Sequence, residues 1–301
     1  MSSNPLILID VHNILWRSHY ATPGLSHKGF PTGAIYGFLR AVLNLREISP
    51  RLVFCWDHGV PGDPPKIYWR KEIYPEYKTN RKSDGDADYE AVQKQIPLLA
   101  EVISWLGYGS IGLPGWEADD CIGVLVHSYP GEILIHSTDE DLYQLLDREG
   151  RVKILKPGKK GKKFQEVTAI DVEQEYGIPI DRWVDYLAMG ADTADGFTVK
   201  GMGPVTAKKL VMMGADPNLN FTSQWPEVQQ QFSKWADSWP QVRKAALLAK
   251  VKVAVWAGPT IRIPEGQMWQ GGRDEGLKRF TTFCADYAMG DYLAARRQFF
   301  K

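Results

Sequence analysis

Residues 6–10 read LILID and residues 52–57 read LVFCWD. Each is an apolar run of strand length that stops on a carboxylate, Asp10 in the first case and Asp57 in the second. A run that is apolar at every position predicts a strand buried on both faces, as in a parallel sheet covered by helices. EILIHS (132–137) repeats the pattern, and VKILKP (152–157) supplies a fourth strand. Between these runs the spacing becomes helical. GAIYGFLRAVLNLR (33–46) carries apolar residues on one face, residues 92–106 predict an amphipathic helix, residues 117–129 another that begins in acids, and DEDLYQLL (139–146) a short helical stretch. Strands alternating with helices predict an α/β fold with a mainly parallel central sheet flanked by helices.

Beyond residue 168 the strand pattern stops and a mainly helical region is expected, with helices near 241–254 and 275–288. GMGPVTAKKL (201–210) lies there as a glycine-rich turn opening a helix. The expected organisation is an α/β core over 1–167 and a helical region over 168–301, packed on the core as one compact unit. Segment 61–91 fits neither period. It is rich in Pro, Lys, Arg, Tyr and Asp, and so long an irregular stretch inside a compact domain is usually functional.

Composition excludes several classes. No run of about 18 apolar residues occurs, so no membrane span is expected, and the N-terminus lacks the basic stretch and small-residue cleavage site of a secretory signal. The three cysteines are far apart, and Cys55 and Cys121 sit in apolar runs, which reads as reduced core thiols and a cytoplasmic protein. Basic and acidic residues balance at 36 each. If nine of the acids belong to one site, the surface elsewhere is positive, so neutrality does not argue against a nucleic-acid partner.

The placement of the carboxylates is the informative feature. Asp10 and Asp57 end strands, Asp139 and Asp141 follow the third strand, and Glu117, Asp119 and Asp120 lie in GWEADD at a helix start. Asp192 and Asp195 are three apart and share a face if helical. Ligands gather at the C-terminal strand ends of parallel sheets. Taken singly, these acids read equally well as helix caps or first-turn acids that suit the helix dipole. Together on one edge they repel unless a cation sits among them. Basic residues are absent from these motifs, which points to a bound cation. Oxygen-only ligation favours Mg²⁺ or Mn²⁺, and no Cys/His spacing fits zinc. Carboxylate-held Mg²⁺ serves phosphoryl chemistry, yet no G-x-x-x-x-G-K-[ST] loop is present.

WRKEIYPEYKTNRK (69–82) interleaves Arg70, Lys71, Lys78, Arg81 and Lys82 with Tyr74 and Tyr77. Aromatic rings that stack bases beside cations that pair with phosphates suit a single-strand contact. Gly201 and Gly203 precede a helix start whose free N–H groups can meet a phosphate, and Thr206, Lys208 and Lys209 follow. KPGKKGKK (156–163) reads as a soluble loop in preference to a DNA-contacting hairpin turn.

In this order LILIDVHNILWRSHYA, FCWD, YPEYKTNR, GWEADD, STDEDLYQLL and DYLAMGADTADGFTVKGMGPVTAKKL resemble the 5′-nuclease family of phage flap endonucleases, 5′–3′ exonucleases and the N-terminal domain of bacterial DNA polymerase I. The resemblance runs from about residue 5 to 255. It implies a PIN-like nuclease core, a helical arch over 66–95 that a 5′ single strand passes, and a helix–three-turn–helix motif near Gly201–Lys209, with K⁺ at its glycine turn. Asp10, Asp57, Glu117 and Asp119 match ligands of a first metal group, Asp120 and Asp139 lie between groups, and Asp141, Asp192 and Asp195 match the second. Two ions, Mg²⁺ or Mn²⁺, are thereby implied. Lys78 and Arg70 match residues that contact the scissile phosphate; Tyr74, Tyr77, Arg81, Lys82 and the glycine turn are candidate DNA contacts. The chain departs from the family at A-D-G-F-T-V (194–199), where Gly196 replaces the usual Asn.

The function so implied is structure-specific cleavage of DNA at 5′ flaps, branches and 5′ ends, with a water activated by the divalent metal. A free-standing monomeric enzyme is expected, of a size that suits a phage protein acting in a bacterial cytoplasm. A PIN-type ribonuclease and a non-catalytic DNA-structure-binding protein are the alternatives; the arch and glycine turn oppose the first, the complete acid set the second.

Overall fold

A computed structural model describes residues 4–64, 66–79, 85–158, 162–191, 199, 201–249 and 272–300. Its main sheet has six strands: β1 (Leu6–Asp10), β4 (Leu52–Trp56), β5 (Gly109–Gly112), β6 (Ile133–His136), β7 (Val152–Pro157) and β8 (Phe164–Val167), arranged β5-β4-β1-β6-β7-β8. All neighbours are parallel except β7 and β8. A separate two-stranded ribbon pairs β2 (Ser26–His27) with β3 (Phe30–Pro31).

Thirteen α-helices lie within the described residues: α1 (Val11–Ala21), α2 (Gly33–Arg46), α3 (Trp69–Ile73), α4 (Ala87–Gln93), α5 (Ile96–Trp105), α6 (Ala118–Ser128), α7 (Ala169–Tyr176), α8 (Trp183–Tyr186), α9 (Pro204–Met212), α10 (Pro226–Phe232), α11 (Trp239–Ala249), α12 (Gly272–Asp286) and α13 (Gly290–Ala295). None is long and apolar enough to cross a membrane. Thus the mainly parallel α/β core and the helical C-terminal region are both present.

The unbroken apolar runs are explained by two cores, one on each face. Leu6 and Leu8 face α6 together with Cys55, Ile133, Ile135 and Ile154, and this core continues into α9 and α11 through Leu210 and Val242. Ile7 and Ile9 face the opposite side, with Phe54, Trp56 and Leu134, against α1, α2, α5 and α12. Every residue of β1 and β4 is buried. Each such Leu or Ile contributes about 1.5–3 kcal/mol by leaving water. Cys55, Cys121 and Cys284 are free and buried, which agrees with reduced core thiols.

Local details differ from the sequence pattern where tertiary contacts intervene. The helix expected over 92–106 is two helices, broken at Lys94–Gln95. Pro97 near the start of α5 has no N–H to give a preceding turn, and Gln95 instead accepts from Ile35 N at 3.1 Å and donates to Ala91 O. The stretch after β6 is a 3₁₀ helix over Glu140–Leu145. KPGKKGKK lies in the β7–β8 connection of an antiparallel hairpin, where Gly158 N donates to Lys163 O; residues 159–161 are outside the described set.

Chain order determines where a site can form. The connection leaving β1 passes through α1 and α2 on one face, whereas Leu142 and Tyr143, just after β6, pack on the other. The crevice between the C-terminal ends of β1 and β6 is therefore the topological switch point, where ligands enter open α/β sheets. Asp10 stands on its rim.

Candidate functional site

Register builds the rim. Asp10 pairs with Cys55 of β4, and Ile9 with His136 of β6, so Asp57 and Ser137 emerge on either side of Asp10. Asp10 also caps α1: its Oδ1 accepts from Asn13 N at 3.1 Å and its Oδ2 accepts from Ser137 Oγ at 3.0 Å. Asn13 in turn accepts from Thr138 N and Oγ1. Asp139 N donates to Ser137 Oγ, and Asp139 caps the 3₁₀ helix by accepting from Asp141 N. The capping role and the placement at strand ends are thus properties of the same residues.

Charge at this rim is poorly compensated. Burial, Asp57 and Asp139 together push the Asp10 carboxyl up to about 7, because each neighbouring carboxylate disfavours a second negative charge nearby. No Lys or Arg pairs with Asp10 among the described residues. Asp57 feels the same burial, but His12, Lys78 and the Ala118 N–H outweigh it and hold its carboxyl below the ordinary value. Ala118 N donates to Asp57 at 2.7 Å, and His12 Nδ1 stands 3.5 Å from its other oxygen.

A few residues away the situation reverses. Arg70, 1% exposed, forms a two-pronged pair with Asp120 at 2.9 and 3.1 Å, reaches Glu117 at 2.7 Å and Asp119 at 3.2 Å, and gives its remaining donor to Leu248 O. Lys78 Nζ lies 2.6 Å from Glu117, Tyr77 O–H donates to the same carboxylate, and Trp69 Nε1 donates to Asp120. Glu117 and Asp120 also form the capping box of α6. Asp119 sits between: burial, Asp120 and Glu117 raise its carboxyl well above the usual range against the pull of Arg70. The expectation that no basic residue compensates these acids is therefore corrected. Arg70, paired with all three, and Lys78, paired with Glu117, are distant in sequence and offset much of this charge. Tyr77, a candidate stacking ring, is buried at 4% exposure.

Lys78 and His58 both have positive φ, 58° and 64°. Such a backbone costs a bulky residue about 1–2 kcal/mol, so these two positions are held there by their surroundings. Both line a groove of about 780 Å³ that opens beside Asp57 and His12, with Trp16, Tyr20, Tyr68 and Tyr89 on its walls. These aromatics were not singled out from sequence, although Trp16 and Tyr20 are four apart in LWRSHY and stack at 5.9 Å.

Other candidates are more scattered. Tyr74 carries Lys244 above its ring at 5.6 Å. Gly201 has φ 80°, Gly203 caps α9, Lys208 donates to Tyr176 O, and Lys209 is exposed. Thr206 is half-buried on α9. Arg81, Lys82, Asp192, Asp195 and Gly196 lie outside the described residues.

Among the described residues no three Asp, Glu, His or Cys side chains stand close enough to enclose an ion unaided. The donor set nonetheless fits a hard cation. Mg²⁺ keeps several waters and takes one or two carboxylates together with substrate phosphates, so an open acidic edge suits it better than a closed cage.

An acid-rimmed switch point beside an aromatic groove that carries Lys71 and Lys78 defines a class of α/β proteins equipped for phosphoryl chemistry. Residues 5–177 match the family model for the 5′-3′ exonuclease N-terminal resolvase-like domain, and the chain belongs to that family. The 5′-3′ exonuclease of Aquifex aeolicus is 31% identical over 236 residues, 76% of this chain and 76% of its own. DNA polymerase I of Deinococcus radiodurans is 35% identical over 212 residues, 68% of this chain. The match spans only 20% of that polymerase's length. The bacteriophage T5 flap endonuclease, solved in a pseudo-enzyme-product complex with DNA and metal ions, superposes with a TM-score of 0.60 over 98% of both chains at 15% identity.

Proposed function

We propose that the chain is a structure-specific DNA 5′-nuclease, acting as flap endonuclease and 5′–3′ exonuclease, with divalent cations at the strand-end acids. The observation that carries this reading is the rim formed by Asp10, Asp57 and Asp139, where a buried carboxyl is pushed to about 7 and no lysine or arginine among the described residues pairs with it. Family membership and the T5 likeness support the choice of DNA as substrate.

Mg²⁺ or Mn²⁺, in one or two sites, supplies charge to the phosphate and acidity to a water when bound. Asp10, Asp57, Asp119, Asp139 and Asp141 are proposed to hold it, with Asp192 and Asp195 added on sequence grounds. Glu117 and Asp120 contribute oxygens only as Lys78 and Arg70 withdraw from them. Lys78, partly exposed in the groove, stabilises negative charge developing on the phosphate. Arg70 is proposed to position Glu117 and Asp120 rather than to touch the phosphate, since its donors are spent in the interior. The groove aromatics take bases of the single strand. Residues near Gly201–Lys209 grip duplex backbone, with K⁺ at the turn, and the protein works as a monomer.

The test is a 5′-flap duplex labelled at its 5′ end, incubated with Mg²⁺, with EDTA, and with Mg²⁺ plus the Asp57→Asn protein. Cleavage near the junction with Mg²⁺ alone is expected. Tight flap binding without cleavage in Mg²⁺ or Mn²⁺ contradicts the proposal.

A further inference from the structure

At the far end of α9 from the glycine turn lies a cavity of about 690 Å³ that the reading above does not use. Gly203 caps the start of α9, and Gly214 and Asp216 line the cavity just past its end. The two ends of this helix stand roughly 13 Å apart at 1.5 Å per residue. Asp181 and Arg182, in the turn before α8, form a second wall together with Asp185 of α8. Leu219 and Trp225, in the chain leading to α10, form a third.

Hydrogen bonds brace these walls against one another. The buried Gln224 accepts from Asp216 N at 2.9 Å and donates to Asp216 O at 2.7 Å. Arg182 donates through Nε to Asp185 and through Nη2 to Ala215 O, which ties the segment after α9 to α8. The Trp225 ring rests on Gly214, where a Cβ would meet indole Nε1 at 3.4 Å and Cδ1 at 3.5 Å. Even so, Trp225 is 66% exposed and Leu219 44% exposed. Apolar side chains scattered singly over a surface need no explanation. An indole and a leucine that share one braced hollow do, and tryptophan beside a pocket is a common anchor of protein recognition.

Charge decides what fits. Among the lining residues Asp181, Asp185 and Asp216 stand against one arginine, Arg182. Burial, together with Asp216 and Asp181 and against the pull of Arg182, raises the Asp185 carboxyl above its ordinary value. A further positive charge is therefore favoured here, and DNA phosphate is repelled. A bare divalent ion fits poorly: no three acids among the described residues stand close enough to enclose one, and with phosphate repelled no substrate oxygen completes its shell. A cation on an apolar stem meets every wall. A guanidinium forks onto carboxylates and stacks on an indole, while its methylenes cover apolar surface. Lysine brings the charge without the fork.

We infer that this cavity is a docking site for an arginine-bearing segment of a partner protein. The arginine lies between Trp225 and the wall of Asp181, Asp185 and Asp216, and an apolar neighbour covers Leu219. Because the cavity and the glycine turn are at opposite ends of α9, the partner can sit here while duplex is held at the turn. The docking site does not depend on the nuclease reading.

The probe is fluorescein-labelled Gly-Leu-Arg-Leu-Gly amide, with Lys or Gln in place of Arg in two companion peptides, followed by anisotropy as the whole chain is titrated in. The proteins are wild type, Trp225→Ala, Asp185→Asn, Asp181→Asn, and Asp274→Asn as a charge control on exposed α12. Circular dichroism and melting verify folding. Wild type is expected to bind the Arg peptide about tenfold more tightly than the Gln peptide, with Lys between them. Trp225→Ala and Asp185→Asn each weaken Arg-peptide binding about tenfold, exposed Asp181→Asn about threefold, and Asp274→Asn leaves it unchanged. Equal binding of the Arg and Gln peptides overturns the docking site, as does folded Trp225→Ala protein that matches wild type. Flap-duplex binding is measured on the same proteins. Unchanged affinity supports a protein partner, whereas a loss in Trp225→Ala equal to its peptide loss overturns it and gives this face to DNA. A wild-type dimer in size exclusion that Trp225→Ala dissolves overturns the partner in favour of a second copy of the chain. Wild-type cleavage in Mg²⁺ judges the nuclease reading separately.

Discussion

Two acidic clusters lie within a few residues of each other and are balanced in opposite ways. At the strand ends, Asp10, Asp57 and Asp139 repel one another; His12 and Lys78 relieve Asp57, while Asp10 has only hydrogen bonds for relief and is driven toward its neutral form. At the start of α6, Glu117, Asp119 and Asp120 surround a buried Arg70, with Lys78, Tyr77 and Trp69 completing the shell. The first cluster needs something from outside the chain. The second already contains its cation, and that cation also ties the 69–78 segment to the core. Charge count alone does not distinguish a ligand site from a structural clamp; the placement of the counter-charges does.

The difference is broken most severely at Arg70. Arg70→Met leaves three carboxylates with Lys78, on Glu117, as the remaining paired cation among the described residues, and removing one partner of a buried pair typically costs about 3–5 kcal/mol. A fall of that size in urea unfolding is expected, and a loss below about 1 kcal/mol contradicts the clamp. Lys78→Ala comes next. It leaves Arg70 in place, so the fold persists, while turnover on a flap drops about 10²–10³-fold and binding changes by less than about threefold. Equal losses in both refute a catalytic role.

Comparing the clusters by pH requires setting aside a third buried group, His136. Its pKa is lowered from 6.5 to about 4, chiefly by burial. Below pH 6.5 the unfolded chain binds a proton that the folded chain refuses, so this contribution is complete above pH 6.5 and is lost as pH falls toward 4. The amount is about 3 kcal/mol. In His136→Asn protein the acid side of the stability profile is expected to flatten, and an unchanged profile contradicts the assignment. The smallest effect separates the clusters by sign. Without divalent ions near pH 8, Asp10→Asn stabilises by about 1 kcal/mol, because Asn still caps α1 and a repelling charge is gone. Asp120→Asn destabilises. Matching signs erase the distinction.

The sequence made the strand-end cluster visible because doubly buried strands appear as continuous apolar runs, and their last residues are then identifiable. β1, β4, β6 and β7 were legible for that reason. β5, reading GSIG, carries two glycines and no apolar run, and it is a strand because its backbone pairs with β4. Side-chain room matters there too: a Cβ on Gly112 comes within 2.6 Å of the Gly59 backbone. β8, reading FQEV, is half-exposed at the sheet edge and depends on the hairpin. The clamp was illegible for a different reason. Arg70 lies 47 to 50 residues from Glu117 and Asp120, and only tertiary folding turns a residue of a basic segment into a buried counter-ion. The groove aromatics likewise come from α1, the residue before α3 and α4 meeting in space.

The most direct test of the contrast is calorimetric titration of Mn²⁺ into metal-free wild-type and Asp10→Asn proteins. Affinity at least tenfold weaker in Asp10→Asn is predicted, since the strand-end cluster is the one that lacks a counter-charge of its own. Equal affinity in the two proteins contradicts the account and shifts the cation away from the strand ends.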